Sequence, residues 1–192
     1  MYSMETNNKA IIFCAPSGAG KTTLTKAAMQ QFSTLSFSVS ATTRAPRGVE
    51  QNGKEYYFLT VSEFQTAVAN NEFVEWEEVY TDVFYGTLKR EVERIHGEGN
   101  VPVFDVDVKG AKRLKEYFGD RALLMFVDAP IDVITERLHA RKTETEEKIQ
   151  MRLARLPEEM TYKQYADVVI TNIDLETAIQ ETGEKIETFL KK

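Results

Sequence analysis

The sequence predicts an α/β protein whose parallel sheet is covered by helices on both faces. Two observations support this prediction: short apolar runs rich in β-branched residues recur along the chain, and amphipathic windows of helical length separate them. Such runs are typical of strands buried on both faces, and their alternation with helices is typical of βαβ units. The whole chain, residues 1–192, is expected to form one domain.

The predicted elements of the core follow in chain order. Each apolar run has the length of a strand and is far shorter than a membrane span. The helical windows carry apolar residues on one side, as helices packed on a sheet do. The predicted strands are Lys9–Ala15, Val101–Val108, Ala122–Val127 and Ala166–Ile170, and the predicted helices are Lys21–Phe32, Lys109–Phe118, Ile131–Arg141 and Leu175–Leu190.

Residues 38–86 interrupt this alternation and are rich in Thr, Tyr, Phe and Glu. Asn52–Gly53 is a hairpin signal between strand-like runs, and Ser62–Gln65 has the spacing of a capping box that starts a short helix. We therefore expect a small, mostly antiparallel insertion in a core of residues 9–37, 87–130 and 160–192. By residue type, four aromatic side chains are expected in the core: Phe64, Phe73, Trp76 and Phe104.

A second interruption, Arg137–Glu159, is very highly charged. Thr143–Glu146 has the pattern of a second capping box. Two charged helices joined near Lys142 would fit poorly in a core, so we interpret this segment as a mobile flap over the rest of the protein.

Composition and charge narrow the function. The 24 Lys and Arg residues against 30 Asp and Glu give a net charge of −6, which argues against a protein that binds long nucleic acid. A small phosphorylated ligand needs only a few cations and stays possible. The single cysteine, Cys14, excludes an intramolecular disulfide and a cysteine-cluster metal site. No signal peptide or membrane span is recognised, so a cytoplasmic protein without a membrane partner is expected.

A phosphate-binding loop follows the first predicted strand. The pattern G-x-x-x-x-G-K-[ST] between a strand and a helix is matched except at its first position, where Ala15 replaces glycine. Ala15 is expected to keep an ordinary φ, while Gly18 and Gly20 let the backbone approach phosphates. Lys21 is expected to neutralise the β- and γ-phosphates, and the Thr22 hydroxyl to coordinate Mg²⁺. The predicted ATP-binding residues of this P-loop are Ala15, Pro16, Ser17, Gly18, Ala19, Gly20, Lys21, Thr22 and Thr23.

Several blocks beyond the loop are more specific than the loop itself. They read SVSATTRAPR, NGKEYYF, NEFVEW, YGT, DVDVKG and RKTETEE. From Lys9 to the last helix the chain resembles the guanylate kinases, nucleoside monophosphate kinases that transfer a phosphoryl group from ATP to GMP. The resemblance implies a P-loop core, a mixed β insertion that binds GMP, and a helical lid over residues 131–159. It also implies direct, Mg²⁺-assisted phosphorylation of GMP, and of dGMP, in purine nucleotide metabolism.

The resemblance also implies roles for individual positions. Arg44, Arg47, Tyr56 and Tyr85 match ligands of the GMP phosphate, and Ser40, Glu75, Thr87 and Asp105 match residues that contact guanine. Arg137, Arg141 and Arg152 match the lid arginines that reach the ATP phosphates, and Asn172 matches a position near the adenine. The implied catalytic residues are Lys21, Arg44, Arg137, Arg141 and Arg152.

The resemblance also implies metal ligands, and the sequence departs from the family pattern at three places. Thr22 is the implied Mg²⁺ ligand, with Asp105 or Asp107 acting through water, although Asp107 could equally be a strand-end residue that holds its loop. Ala15 replaces the usual loop glycine, and Lys142 replaces the glycine after the lid arginine. Residues 157–167 match the family less closely.

The chemistry of guanine supports a role for Glu75. Guanine presents N1–H and N2–H₂ donors, both of which one carboxylate can accept, and an O6 acceptor to which Ser40 or Thr87 can donate. Adenine has no such donor pair and would leave the carboxylate facing an acceptor, which costs a few kcal/mol in a buried site.

Two other functions are compatible with a P-loop. One is a binding module that has lost catalysis, but Lys21, Thr22 and all three lid arginines are present, which favours the enzyme. The other is a P-loop kinase with a different phosphorylated acceptor, such as a ribose bisphosphate. The intact set of guanine-contacting residues argues against it.

Overall fold

The computed structural model of the chain describes residues 8–140 and 145–192. Nine strands lie in the described ranges: β1 Ala10–Cys14, β2 Leu35–Phe37, β3 Ala41–Thr42, β4 Tyr57–Phe58, β5 Phe73–Tyr80, β6 Val83–Leu88, β7 Val101–Asp105, β8 Ala122–Asp128 and β9 Val168–Thr171. Seven α-helices accompany them: α1 Lys21–Gln31, α2 Val61–Ala69, α3 Lys89–Gly97, α4 Val108–Phe118, α5 Ile131–Ala140, α6 Glu146–Thr161 and α7 Leu175–Leu190. Short 3₁₀ turns follow α4 and α6, at Gly119–Arg121 and Tyr162–Tyr165.

Five strands form the central sheet in the order β2-β7-β1-β8-β9, and all neighbours run parallel. The register places Ile12 of β1 between Phe104 of β7 and Leu124 of β8. The predicted α/β fold with a parallel sheet is confirmed. Carboxyl ends of parallel strands share one edge, and the loops after β1, β7 and β8 therefore meet there.

Alternate side chains of β1 face the two layers of helices. Ile11 and Phe13 pack in a core with α1, α5, α6 and α7, whereas Ile12 and Cys14 pack in a second core with α3 and α4. Residues alternate between faces along a strand, so a five-residue apolar run is buried throughout. This double burial holds the loop after β1 on a rigid base.

A second, mixed sheet has the order β4-β3-β6-β5. β3 runs parallel to β4 and antiparallel to β6, and β5 and β6 form a hairpin that turns at Thr81–Asp82. Asp82 has a φ of 61° there, a left-handed conformation that aspartate tolerates better than most residues. A small core beneath this sheet contains Phe64 of α2 and Phe73 of β5.

Three local predictions for this region are wrong. Asn52–Gly53 is no hairpin turn, because the chain bends there and brings β4 parallel to β3. The capping box of α2 is Thr60 with Glu63, which bond each other's backbone N–H groups, and Ser62 lies inside the helix. Trp76 is 40% exposed rather than buried, unlike Phe64, Phe73 and Phe104. Trp76 faces away from the side that Glu75 occupies, because neighbours on a strand point to opposite faces.

The two helices predicted for the charged segment are present. α5 ends at Ala140, and α6 begins at Glu146 with Thr145 at its N-cap. Lys142 and Thr143, where the predicted joint and capping residue lie, are outside the described residues. Among the described helices, none combines the length and apolar character needed to cross a membrane.

Candidate active site

The phosphate loop, residues 15–22, joins β1 to α1 at the carboxyl edge of the central sheet. Gly18 and Gly20 have φ values of 93° and 98°, which only glycine adopts without strain. A Cβ on Gly20 would also lie 2.1 Å from Nδ2 of Asn172. Ala15 does not have a positive φ, which confirms the expectation that its backbone keeps an ordinary conformation.

Asp105, at the end of β7, contacts the last two residues of the phosphate loop, Lys21 and Thr22. Its Oδ1 lies 2.7 Å from Lys21 Nζ, and its Oδ2 accepts a hydrogen bond of 3.1 Å from the Thr22 hydroxyl. Lys21 Nζ also donates to the Val106 carbonyl. β1 and β7 are adjacent parallel strands, so their carboxyl ends bring the three side chains together.

This oxygen set fits Mg²⁺. The ion prefers hydroxyl, carboxylate and phosphate oxygens and is usually held in kinases by one or two protein groups plus the substrate. The Thr22 hydroxyl and the Asp105 carboxylate supply such oxygens beside the loop. No cluster of three or more His, Cys, Asp or Glu side chains that could hold a metal by itself occurs in residues 8–140 and 145–192.

A cavity of about 210 Å³, the acceptor cavity, opens between the second sheet, the end of β7 and the start of α4. It is lined by Ser40, Tyr56, Glu75, Glu77, Val79, Tyr85, Gly86, Asp105, Val106, Asp107 and Gly110. Five of the eight predicted acceptor residues line it directly, and Asp105 connects it to Lys21 of the phosphate loop. The two predicted sites are therefore continuous.

Glu75 is the most buried carboxylate of this cavity, with 8% exposure. The Thr87 hydroxyl, opposite it on β6, donates a 2.7 Å hydrogen bond to Oε1. Burial raises the pKa of Glu75 from 4.5 to about 6, and the hydrogen bond from Thr87 opposes this rise. With a pKa of about 6, the carboxylate is mostly ionised at neutral pH.

The other end of the cavity is lined by Tyr56 and Tyr85, and Arg44 lies against this aromatic pair just beyond it. The Arg44 guanidinium lies 4.9 Å above the Tyr56 ring, and the Tyr56 and Tyr85 rings are 5.9 Å apart. Glu50 accepts two hydrogen bonds of 2.7 Å from Arg44 and a third from the Arg47 N–H. Arg44 and Arg47 hold the pKa of Glu50 at about 2. One carboxylate therefore ties together the two arginines predicted to bind phosphate.

Asp107 begins α4. Its Oδ1 accepts a 2.7 Å hydrogen bond from the Gly110 N–H at the first turn. Such an N-cap fixes the start of a helix. Asp107 is thus the N-cap of α4, two residues beyond the end of β7, rather than a strand-end residue, and it also lines the acceptor cavity.

Asn172 and Arg137 both contact the phosphate loop at Ala19. Asn172 Nδ2 donates to the Ala19 carbonyl at 2.7 Å, and its buried Oδ1 has no donor among the described residues. Arg137 donates to the carbonyls of Asn172 at 2.9 Å and Ala19 at 3.4 Å. Both side chains fix the loop against the end of β9.

Helix α6 contacts the phosphate loop at Ser17. Arg152 donates a 2.6 Å hydrogen bond to the Ser17 hydroxyl, and Glu159 accepts the Ser17 N–H at 3.3 Å. Burial raises the pKa of Glu159, opposed by the Ser17 hydrogen bond. Arg141, the remaining predicted lid arginine, lies outside the described residues.

Sequence reasoning missed two carboxylates at this site and a third that supports the second sheet. Glu50 binds the phosphate-site arginines, Glu159 binds the phosphate loop, and Glu91 fastens the second sheet to α3. Glu91 is buried and accepts hydrogen bonds from the Val39 N–H and the Tyr57 hydroxyl at 3.1 and 2.9 Å. A single Glu in an acidic chain carries no distinguishing sequence signal, although Glu50 does follow the arginine pair closely.

Comparison with known proteins shows which family the chain belongs to. The family model described as guanylate kinase matches residues 7–189. The chain belongs to the guanylate kinase family. It is 49% identical to the guanylate kinase of Bacteroides fragilis over 183 residues, which cover 95% of this chain and 90% of that protein. It is 47% identical to the guanylate kinase of Porphyromonas gingivalis over 186 residues, or 96% and 99% of the two chains.

A solved structure agrees as well. The crystal structure of guanylate kinase from Anaplasma phagocytophilum has a TM-score of 0.68 and 28% identity, over 98% of this chain and 88% of that one. Membership of the guanylate kinase family supports an enzyme with nucleotide substrates and implies ATP-dependent phosphorylation of GMP.

Proposed function

We propose that the chain transfers the γ-phosphoryl group of ATP to GMP, and to dGMP, with Mg²⁺ as cofactor. The products are ADP with GDP or dGDP, as part of purine nucleotide metabolism in the cytoplasm, where both substrates occur. One observation supports this most strongly: a buried, hydrogen-bonded Glu75 carboxylate lies in a cavity that Asp105 connects to Lys21 of the phosphate loop.

Glu75 is proposed to select guanine. Its carboxylate accepts the N1–H and N2–H donors of the base, and a charged acceptor makes the stronger kind of hydrogen bond. The Thr87 hydroxyl already donates to Glu75, so the donor to guanine O6 is assigned to Ser40, which lines the same cavity. Adenine presents neither donor to Glu75 and is rejected.

The phosphate of GMP is proposed to bind beside the tyrosine end of the cavity, to Arg44, Arg47, Tyr56 and Tyr85. Arginine forks bind phosphate oxygens in pairs, and Arg44 already makes such a paired contact with Glu50. The incoming dianion exchanges with this carboxylate.

The transfer itself requires alignment and charge neutralisation. An oxygen of the GMP phosphate attacks the γ-phosphorus, and the bond from that phosphorus to the bridging oxygen breaks, leaving its electron pair on ADP. No general base is needed, because the attacking phosphate oxygen is already anionic. Lys21 and the lid arginines Arg137, Arg141 and Arg152 are proposed to lower the charge on the transferred group. Mg²⁺, held by Thr22 with Asp105 or Asp107 through water, would add positive charge at the phosphates.

Three parts of the chain divide this work. Residues 9–37, 87–130 and 160–192 form the ATP-binding core, residues 38–86 bind the acceptor, and residues 131–159 form the lid. Asn172 is proposed to lie near the adenine, whose amino group is a donor for its buried Oδ1.

An ADP-release assay with GMP, dGMP, AMP, UMP and CMP as acceptors tests the proposal. ADP is expected to form only when a guanine nucleotide is the acceptor and Mg²⁺ is present. Glu75→Ala is expected to weaken the use of GMP by roughly 2–4 kcal/mol with little change in ATP binding. Binding of GMP without any ADP release would instead identify a binding module, and equal activity with AMP would disprove guanine selection.

A further inference from the structure

Glu77 lines the acceptor cavity and has no part in the function proposed above. It lies two residues after Glu75 on β5, and side chains at this spacing share one face of a strand. The pairing register places Glu75 opposite Thr87 and Glu77 opposite Tyr85 on β6. Two adjacent cross-strand pairs thus form a continuous wall, with one carboxylate in each.

The charge of Glu77 is only partly compensated by protein groups. Its Oε1 lies 3.5 Å from Lys109 Nζ, and its Oε2 lies 4.0 Å from a guanidinium nitrogen of Arg113, beyond hydrogen-bond distance. The Oε2 atom is buried and accepts no hydrogen bond within the part of the chain that the structure describes. A buried acceptor without a donor calls for an explanation.

The acceptor nucleotide of the proposed function carries donors for the Glu77 carboxylate. With the base at the Glu75–Thr87 pair and the phosphate at Tyr85 and Arg44, the ribose between them passes the Glu77–Tyr85 pair. Glu75 takes the base donors N1–H and N2–H, so the remaining donors of GMP are its 2′- and 3′-hydroxyl groups. We propose that Glu77 accepts a hydrogen bond from a ribose hydroxyl of the acceptor and so favours ribonucleotides over deoxyribonucleotides. This inference rests on the proposed function.

A purely structural role for Glu77 predicts a different result. If Glu77 only fastens β5 to α4 through Lys109, its loss slows all guanine acceptors by the same factor. If it binds the ribose, its loss removes discrimination between acceptors that have and lack the hydroxyl. The ratio of kcat/KM values therefore separates the two roles.

The test compares GMP, dGMP and 3′-deoxy-GMP as acceptors for the full chain. The wild-type protein is expected to prefer GMP over at least one deoxy analogue by about tenfold or more, because about tenfold is the lower limit for a hydrogen bond to a charged group. Glu77→Ala is expected to bring that ratio close to one. Glu77→Gln keeps an uncharged acceptor and is expected to give an intermediate ratio.

Glu78→Gln is the matched control. It is the next residue of β5, removes the same charge, and normally accepts the Asp82 N–H in the hairpin at 3.0 Å. Its ratio is expected to equal that of the wild type. A wild-type protein that uses all three nucleotides equally, or a Glu77→Ala variant with an unchanged ratio, would overturn the assignment. Failure of the wild type to phosphorylate GMP at all would instead disprove the proposed function.

Discussion

Replacement of Glu75 by Gln should stabilise the nucleotide-free protein while impairing its use of GMP. Glutamine has the shape of glutamate and keeps an oxygen that can accept the Thr87 hydroxyl. Glutamine carries no charge, and burial disfavours the charged form of Glu75. The substitution therefore isolates the energetic cost of holding an ionised carboxylate in the acceptor cavity.

The size of this cost follows from the pKa. A rise in the pKa of Glu75 from 4.5 to about 6 corresponds to about 2 kcal/mol of stability. A carboxyl group with a raised pKa in the folded state contributes stability below its unfolded pKa, and this contribution is lost as pH rises through the folded value. The wild type is therefore penalised by about 2 kcal/mol at pH 8, and the Gln variant is not.

Urea unfolding of both proteins without nucleotide, at several pH values from 5 to 8, measures the effect. The advantage of Glu75→Gln should grow by roughly 1 kcal/mol or more across this range, since most of the carboxyl group ionises within it. Glu78→Gln, which removes an exposed charge from the same strand, should show no gain of this size. An advantage of Glu75→Gln that does not change with pH would refute the reasoning.

Three further predictions concern binding and catalysis. In the wild type, kcat/KM for GMP should fall as pH drops below about 6, because protonation of Glu75 removes an acceptor for the guanine donors; a pH-rate profile checks this. Arg152→Ala, like Arg141→Ala, should lower kcat by about 10²–10³ with little change in the KM for GMP, measured by steady-state kinetics. Glu159→Gln should tighten ATP binding by roughly threefold to tenfold in calorimetry, because its carboxylate competes for the Ser17 N–H.

The central sheet could be predicted because its strands are buried on both faces. β1, β7 and β8 each appear in the sequence as apolar runs, and the helices between them have one apolar side. β2 was missed because it is an edge strand of three residues, Leu35–Phe37, with its last residue exposed. A strand this short, at the edge of the sheet, shows no hydrophobic periodicity in the sequence.

The second sheet was predicted less well because several local signals compete there. Asn52–Gly53 and Thr81–Asp82 both suit turns, and only tertiary pairing makes the second of them the hairpin. Thr60–Glu63 and Ser62–Gln65 both fit a capping box, and the helix uses the first. The burial of Trp76 was predicted from residue type alone, although alternation with Glu75 along β5 places it on the opposite face.

Carboxylates pair with the groups that we propose to bind phosphate. Asp105 pairs with Lys21, Glu50 with Arg44, and Glu159 with the Ser17 N–H. Unpaired cations at one site would repel one another. The carboxylate partners compensate this charge and hold the cations and N–H donors in position. Because each partner is a single carboxylate, a phosphate dianion with more acceptor oxygens can replace it. The proposed exchange would allow a chain with a net charge of −6 to bind two polyanionic nucleotides at one edge of its sheet.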